Sequence, residues 1–566
     1  MSRFPIKEIT ALSAVTSYVV VGYLRAEFLP SSYSGAFLFT SIFYFFTWAF
    51  WTVLIYPKYL SPLRHLPGPE GGSWWNGQFP LIAALPTGAP MIEWMRTVPN
   101  DGIIRYLGMF NVERLFITSP NALKEVLATK SYDFVKPSQL VQGLSRLLGI
   151  GILLAEGDEH KKQRRNLLPA FSYRHIKDLY PVFWEKAVEV SEAITANVRA
   201  GGIMHDELPE YQKEVTQQTK ISETEAVIEM SEWAGRATLD IIGIAGFGQD
   251  FNSISDRNAP LSQTYRIVFT PSRQGRNLAL LHNFFPGWLV KRIPVKRNGE
   301  IESAIVIIRD ICRKKIQLKK EKLDQGKLND FDILSIALQS GAFSEENLID
   351  QMMTFLAAGH ETTSTAIMWA IYLLCVNPSC QSHLRAEIRA NLPFPNAQNP
   401  ITSSQIDGLP YLNAVCSEVL RYYPSIAMTM RVAARDTTIL GHRIPKGTHV
   451  VIAPWAINKS EELWGPDAKK FKPERWLPSD SNPHPANGGA ANNYSFLSFI
   501  HGPRSCIGQG FARAEFACLL AALIGRLEFT LNDKRELREE NLKIKGGVTA
   551  KLPQGLFVKA RVLDEW

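Results

Sequence analysis

Paired cysteines are what this sequence most visibly lacks. Its six, at 312, 375, 380, 416, 506 and 518, are scattered without paired spacing. That argues against a disulfide scaffold and for thiols in a reducing compartment. Four of them fall in apolar helical runs, where a free cysteine behaves as a small core residue. A dense Lys/Arg stripe with interleaved aromatics is also missing, so no nucleic-acid partner is expected. The basic clusters at residues 161–165 and 314–322 read instead as helix faces. Repeats, low-complexity tracts and an obvious linker are absent after about residue 70, which excludes a solenoid or an array of tethered modules.

Charge is missing altogether from residues 35–56, which carry Phe37, Phe39, Phe43, Phe45, Phe46, Trp48, Phe50 and Trp51. About 20 such residues cross a bilayer, so this segment is expected to be a membrane span. Residues 9–24 are also uncharged but shorter, and hold Thr10, Ser13, Thr16 and Ser17. They are a second candidate: a thin first span, an interfacial helix or an uncleaved signal-like segment. A hairpin would leave Arg3, Lys7, Lys58 and Arg64 on one side and Arg25 between the spans. The positive-inside rule favours that arrangement and keeps everything after residue 57 in the cytosol. Pro62 and then Leu66-Pro67-Gly68-Pro69 break the helix and stiffen the exit. The expected layout is an anchor over 1–60, a proline-rich hinge over 61–70 and one catalytic domain over 71–566.

What is present is ordinary for a large core, with 46% hydrophobic and 20% charged residues. The net charge of +8 suits an anionic membrane surface or an acidic partner. Long helical patterns are read at 178–200, 222–246, 301–323, 344–376 and 410–423, and short strands at 114–117, 437–440, 448–452 and 556–562. The expected class is mainly α with small β-sheets (α+β). A domain of about 490 residues exceeds the usual limit of one core. A buried cofactor around which the helices wrap would account for it.

Three local patterns stand out, two bearing on chemistry and one on structure. Residues 499–508 read F-I-H-G-P-R-S-C-I-G, ahead of an apolar helical run at 511–523. A Cys506 thiolate there would meet the unpaired N–H groups of a helix N-terminus. Gly502 and Gly508 admit close backbone approach to a flat ligand, and Arg504 can pair with a carboxylate. The zinc alternative fails on spacing, since Cys518 is too far and His501 alone completes no set. Second, Ser344 caps a long helix containing Ala358-Gly359-His360-Glu361-Thr362-Thr363. A mid-helix glycine costs about 1 kcal/mol against alanine, and a Glu-Thr pair in an apolar stripe marks function or a kink. Third, Glu418 and Arg421 share a helix face among Leu412, Val415, Val419 and Leu420. A partly buried pair needs another partner, and Arg475 in Phe471-Lys472-Pro473-Glu474-Arg475-Trp476 is the candidate.

Residues 499–508 resemble the haem-binding loop of the cytochrome P450 family, F-x-x-G-x-R-x-C-x-G, with every fixed position filled. Residues 358–362 resemble its oxygen-activating signature, [A/G]-G-x-[D/E]-T. E-x-x-R followed by F-x-P-E-R resembles its salt-bridged triad, Glu418, Arg421 and Arg475, a structural device. Residues 157–164 resemble the W-x-x-x-R helix with His160 in place of tryptophan, and Arg431 opens the R-x-x-x-x-D stretch. The resemblance implies the P450 fold, with haem b between the long central helix and the cysteine-loop helix. Cys506 would be the axial iron ligand, with Phe499 and Gly508 in its loop. Arg504, Arg431, His160 and Arg164 would serve the propionates, and Gly359 and Ala358 would let the helix pass close over the ring. Thr362 would hydrogen-bond bound oxygen and Glu361 relay protons.

The function so implied is a monooxygenase inserting one oxygen atom into a lipophilic small molecule. Its electrons would come from NADPH through NADPH–cytochrome P450 reductase, with cytochrome b5 a further candidate donor. The site would be the endoplasmic reticulum membrane, facing the cytosol. The pocket lining by family position is 147–154, Phe355, Ala358, 425–430 and 546–549. The closely spaced membrane segments and the G-D-E-H-K-x-Q-R-R block resemble fungal microsomal members, many of them in secondary metabolism. Two alternatives stand beside this: a haem-thiolate isomerase or dehydratase that uses no oxygen, and a non-catalytic haem-binding membrane protein.

Overall fold

The computed structural model describes residues 5–24, 30, 32–216, 221–259, 261, 263–264, 273–281, 289–290, 292–328, 330–394, 401–479, 487–490, 492–546 and 548–563. It divides into two compact units: residues 1–135 with 429–453, and residues 136–428 with 454–566. Residues 71–566, expected as one domain, run through both.

The first unit begins with helix α1 (Ile6–Val19), which continues as a π-helical turn over Val20–Leu24. Helix α2 (Tyr33–Phe50) starts at Ser32, whose hydroxyl accepts from the Gly35 amide, and continues as a π-helix over Trp51–Leu60. Tyr33–Leu60 is long and apolar enough to cross a membrane. Its far end is lashed to a hairpin of two strands, β1 (Ile103–Leu107) and β2 (Glu113–Ile117). The Arg105 guanidinium donates to the Pro57 carbonyl, and Asn111 Nδ2 donates to the Val53 and Trp74 carbonyls, both at 2.9 Å. The proline-rich stretch then runs against β1, with Arg105 N donating to Pro67 O at 2.8 Å. A Cβ on Gly68 would fall 2.3 Å from the Arg105 carbonyl oxygen, so only glycine fits.

The sheet has the order β1-β2-β8-β5-β3, with β3 at Phe134–Val135, β5 at Thr429–Ala433 and β8 at His449–Ile452. β2 and β8 run parallel and the other neighbours antiparallel. Its strands are short runs of β-branched and aromatic residues buried at Leu115, Phe116, Val450 and Val451. A separate hairpin joins β6 (Thr437–Ile439) to β7 (His442–Ile444).

The second unit holds α3 (Gly157–Leu167), α4 (Tyr173–Arg199), α5 (Met230–Phe247), α6 (Lys296–Asp324), α7 (Glu345–Val376), α8 (Pro410–Tyr422) and α9 (Gln509–Arg526). The helix expected over 222–246 is corrected here. Its first part is strand β4 (Glu225–Glu229), antiparallel to β12 (Phe557–Val562), which also pairs with β9 (Leu527–Leu531). Ala226, Val227 and Ile228 are all buried there. Cross-strand packing outweighs the helix-like run that Glu and Ala suggest. A last hairpin joins β10 (Lys545–Gly546) to β11 (Ala550–Lys551).

Helix α7 is the spine of this unit. Its 32 residues span about 48 Å. Ser344 Oγ accepts from Asn347 N at 3.2 Å, and Glu345 and Glu346 stand in the first turn. A helix that is apolar all round must be buried all round, and α7 packs against α5, α6, α8 and α9. From Gln351 to Cys375 it is buried except at Ala358, Gly359 and Thr362.

Candidate active site

The cysteine loop is shaped by its own backbone. Cys506 N donates to Phe499 O at 2.9 Å and Ser505 N to Gly502 O at 3.0 Å. The turn requires left-handed backbone at Ile500 (φ 57°) and Gly502 (φ 81°). Glycine adopts this freely; a β-branched isoleucine does so only under strain, of order 1–3 kcal/mol. Gly508 stands at the N-cap of α9. Arg513 of α9 lies over the Phe496 and Phe499 rings, 5.7 and 5.6 Å from their centroids.

Cys506 is the exposed cysteine of the six; four are buried and Cys380 is half-buried. Burial pushes the Cys506 pKa up, while the Gly508 N–H and the Arg164 guanidinium pull it down. Phe171 joins this loop to the central helix. Its ring is 5.5 Å from that of Phe355 on α7, and a Cβ on Gly508 would lie 3.6 Å from it. Phe171 thus links the cysteine loop to the central helix at Phe355, one turn before the exposed Ala358.

Helix α3 supplies cations. Arg164 NH1 donates to Ser505 O at 2.7 Å and NH2 to Ser505 Oγ at 3.2 Å, which ties α3 to the residue before Cys506. Arg504 pairs with Glu156, which also accepts from Lys136 Nζ at 3.2 Å. His160 is buried beside them, with its pKa lowered to about 4 by burial first and then by Lys136, Arg504 and Arg164, against Glu156. Three cations and one carboxylate therefore act on a neutral imidazole. Arg431 lies buried on β5 of the first unit, donating to Thr429 Oγ1 at 3.1 Å and Met430 O at 2.8 Å.

On α7, Thr362 Oγ1 donates back to Ala358 O at 2.8 Å, and Ser425 Oγ donates to Thr362 O at 2.8 Å. A Cβ on Gly359 would fall 2.9 Å from the Ile242 side chain of α5, so glycine here permits a tight helix crossing. Glu361 is buried and held by two donors of the β10–β11 hairpin segment, Thr549 Oγ1 at 2.8 Å and Lys551 Nζ at 2.6 Å. Gly547, in the expected lining turn, lies outside the described residues.

Glu418, Arg421 and Arg475 come together. Arg421 grips both Glu418 oxygens at 2.8 and 2.7 Å, and Arg475 Nε donates to Oε1 at 3.1 Å. Glu418 and Arg421 are wholly buried. Trp476 Nε1 and Lys472 N complete the carboxylate's shell at 2.9 and 2.8 Å. Arg421 also donates to the carbonyls of Asn458, Ala468 and Lys470. This is how an ion pair survives burial, with every donor and lone pair met.

The constellation fits a flat, dianionic, soft-metal cofactor on three observations. An accessible sulfur sits just ahead of a helix N-terminus, the facing helix opens at a small residue and a hydroxyl, and cations outnumber carboxylates around His160. Among the described residues, no three His, Cys, Asp or Glu side chains converge to hold a bare ion.

A haem-dependent oxidoreductase with a cysteine ligand is the class that fold and site define. The chain belongs to the cytochrome P450 family, whose description matches residues 67–557. It is 46% identical to the cytochrome P450 monooxygenase sphH of Aspergillus fumigatus, over 91% of each chain. It is 43% identical to the cytochrome P450 monooxygenase FUM15 of Gibberella moniliformis, over 90% of each. With ALT8 of Alternaria alternata, likewise a cytochrome P450 monooxygenase, identity is 40% over 94% and 95%. The protein is an oxidoreductase of monooxygenase type.

Several residues of the site went unread in the sequence. Lys136, Glu156 and Lys551 sit in no motif, and nothing local marks them. Trp476 was legible in principle, since it adjoins Arg475 in the same six-residue run. Glu515 on α9 is wholly buried, and burial raises its pKa far above the carboxylate range against the weaker pull of the Thr363 hydroxyl.

Proposed function

We propose that this protein inserts one atom of dioxygen into a lipophilic small molecule of fungal secondary metabolism. The other atom leaves as water, using two protons and two electrons from NADPH delivered by NADPH–cytochrome P450 reductase, with cytochrome b5 as a second donor. The proposed setting is the endoplasmic reticulum membrane, with the catalytic region facing the cytosol. The observation that carries the reading is the accessible Cys506 thiol in its clamped loop, with Arg164 fixing the preceding residue.

When bound, haem with a thiolate ligand supplies oxygen activation, the thiolate favouring O–O cleavage. The chain's own residues do the remainder. Cys506 is proposed as the iron ligand, and Arg164, Lys136 and Arg504 as the charge that receives the propionates. Neutral His160 offers a hydrogen bond there. Arg431 keeps its proposed propionate role. Thr362, its hydroxyl proton engaged by Ala358 O, keeps its oxygen lone pairs free to accept a hydrogen bond. Glu361 holds the acid end of a proton path whose outer member is the partly exposed Lys551.

The test is reconstitution with reductase, NADPH and a panel of lipophilic substrates. Product that requires both NADPH and oxygen is expected. Product formed without either supports the isomerase alternative and overturns the monooxygenase reading. In Cys506→Ala the carbon monoxide difference spectrum of the reduced protein should lose its thiolate band; an unchanged band removes Cys506 as ligand. In Thr362→Ala, NADPH consumption should continue while product per NADPH falls.

A further inference from the structure

The two N-terminal helices are built inside out. Along α1, the buried positions are Ile9, Ser13, Ser17 and Val20, with Thr16 half-buried. Along α2 they are Ala36 and Thr40, with Ser41 and Tyr44 half-buried. Both sets fall at helical spacing on one face, and the helices pack through those faces. The contacts across the seam are polar. Ser17 Oγ and Thr40 Oγ1 are 3.1 Å apart, and Thr16 Oγ1 and Tyr44 OH are 2.8 Å apart. Thr40 Oγ1 also reaches the Ser13 carbonyl at 3.4 Å.

The opposite faces carry the large apolar side chains. Leu12, Val15, Tyr18, Leu38, Phe43 and Phe46 are each more than half exposed. In water this distribution is unfavourable, at about 25 cal/mol for each Å² of apolar surface left wet. In hydrocarbon it is the stable one. Helices associate there through small residues and interhelical hydroxyl bonds, and lipid covers the rest. Ser13, Thr16 and Ser17, hydroxyl residues within the uncharged run of α1, are turned towards α2 rather than outward.

We propose that α1 and α2 cross the bilayer together as a hairpin closed by this hydroxyl seam. The N-terminus and everything after residue 60 then share one side. The uncharged run of residues 9–24 is about 24 Å long as helix, close to a thin endoplasmic-reticulum core of about 27 Å. Lys7, Lys58 and Arg64 flank the same face, whereas the connection carries one basic residue, Arg25. The proposal rests on the membrane reading above and not on the chemistry.

The full chain, expressed in microsomes, tests it with a glycosylation cassette placed either before residue 5 or between residues 25 and 31. The loop cassette should be modified and the N-terminal one should not. Modification of the N-terminal cassette, or of neither, overturns the hairpin and leaves the membrane reading intact. Release of the chain by alkaline carbonate overturns both. The seam has its own arm, since no native cysteine precedes Cys312. In S17C/T40C with a protease site in the loop, oxidation should keep the two fragments joined until reduction. The outward pair V15C/F39C should let them separate. Separation of the S17C/T40C fragments overturns the seam.

Discussion

Two buried titratable residues give the protein opposing responses to pH. His160 has its folded pKa lowered to about 4, against an ordinary value near 6.5. Between those values the unfolded chain takes up a proton that the folded one refuses, so this group makes stability fall as pH drops from 6.5 towards 4. The slope is about 1.4 kcal/mol per pH unit. In the haem-free protein, His160→Trp, which restores the family residue, should flatten the loss of denaturant midpoint between pH 7 and pH 5; an unchanged loss would sink the assignment. Glu515 works the other way. Its folded pKa is raised, so the folded state keeps a proton the unfolded state gives up, and stability falls as pH rises above about 4.5. The isosteric, permanently neutral Glu515→Gln should therefore stabilise the protein at pH 8 and do little at pH 4. Equal effects at both pH values would contradict a neutral Glu515.

At the scale of elements, the β10–β11 hairpin segment holds the acid of the central helix. Lys551 and Thr549 both donate to the same Glu361 oxygen, so they set where that carboxylate points. Lys551→Met should lower product formed per NADPH oxidised and change the pH profile of that ratio, and Lys551→Arg should restore it. A ratio unmoved by Lys551→Met would leave the contact a structural one. Removing Glu418 is a harsher change, because it takes the counter-ion from the wholly buried Arg421 guanidinium, whereas Arg475 keeps Asp467. Glu418→Ala should cost on the order of 3–5 kcal/mol, read as failure to retain haem and as loss of the denaturation midpoint. The central helix, its Ser344 cap and the Glu418–Arg421 pairing were legible because each depends on residues a few positions apart. The strand at 225–229 and the Glu361 clamp were not. Both depend on partners more than 180 residues away, and periodicity carries no information at that distance. Gly359 was legible as special, but its close contact with the Ile242 side chain on another helix was not.

At the scale of the whole molecule, two chemistries are kept on separate stretches of one chain: a pair of helices with apolar outer faces and a charged, ion-paired remainder. Arg105 and Asn111 seize three main-chain carbonyls at the end of the span and just beyond it, and Gly68 lets the next strand of chain lie flush against β1. A span held this way is a lever arm rather than a leash. Any tilt forced on it by a thicker or thinner bilayer turns the β1–β2 hairpin through the same angle. Nanodiscs of increasing lipid length should therefore reorient the wild-type sheet measurably by neutron reflectometry. In Arg105→Ala/Asn111→Ala the response should be blunted, the torque dissipating in the freed joint.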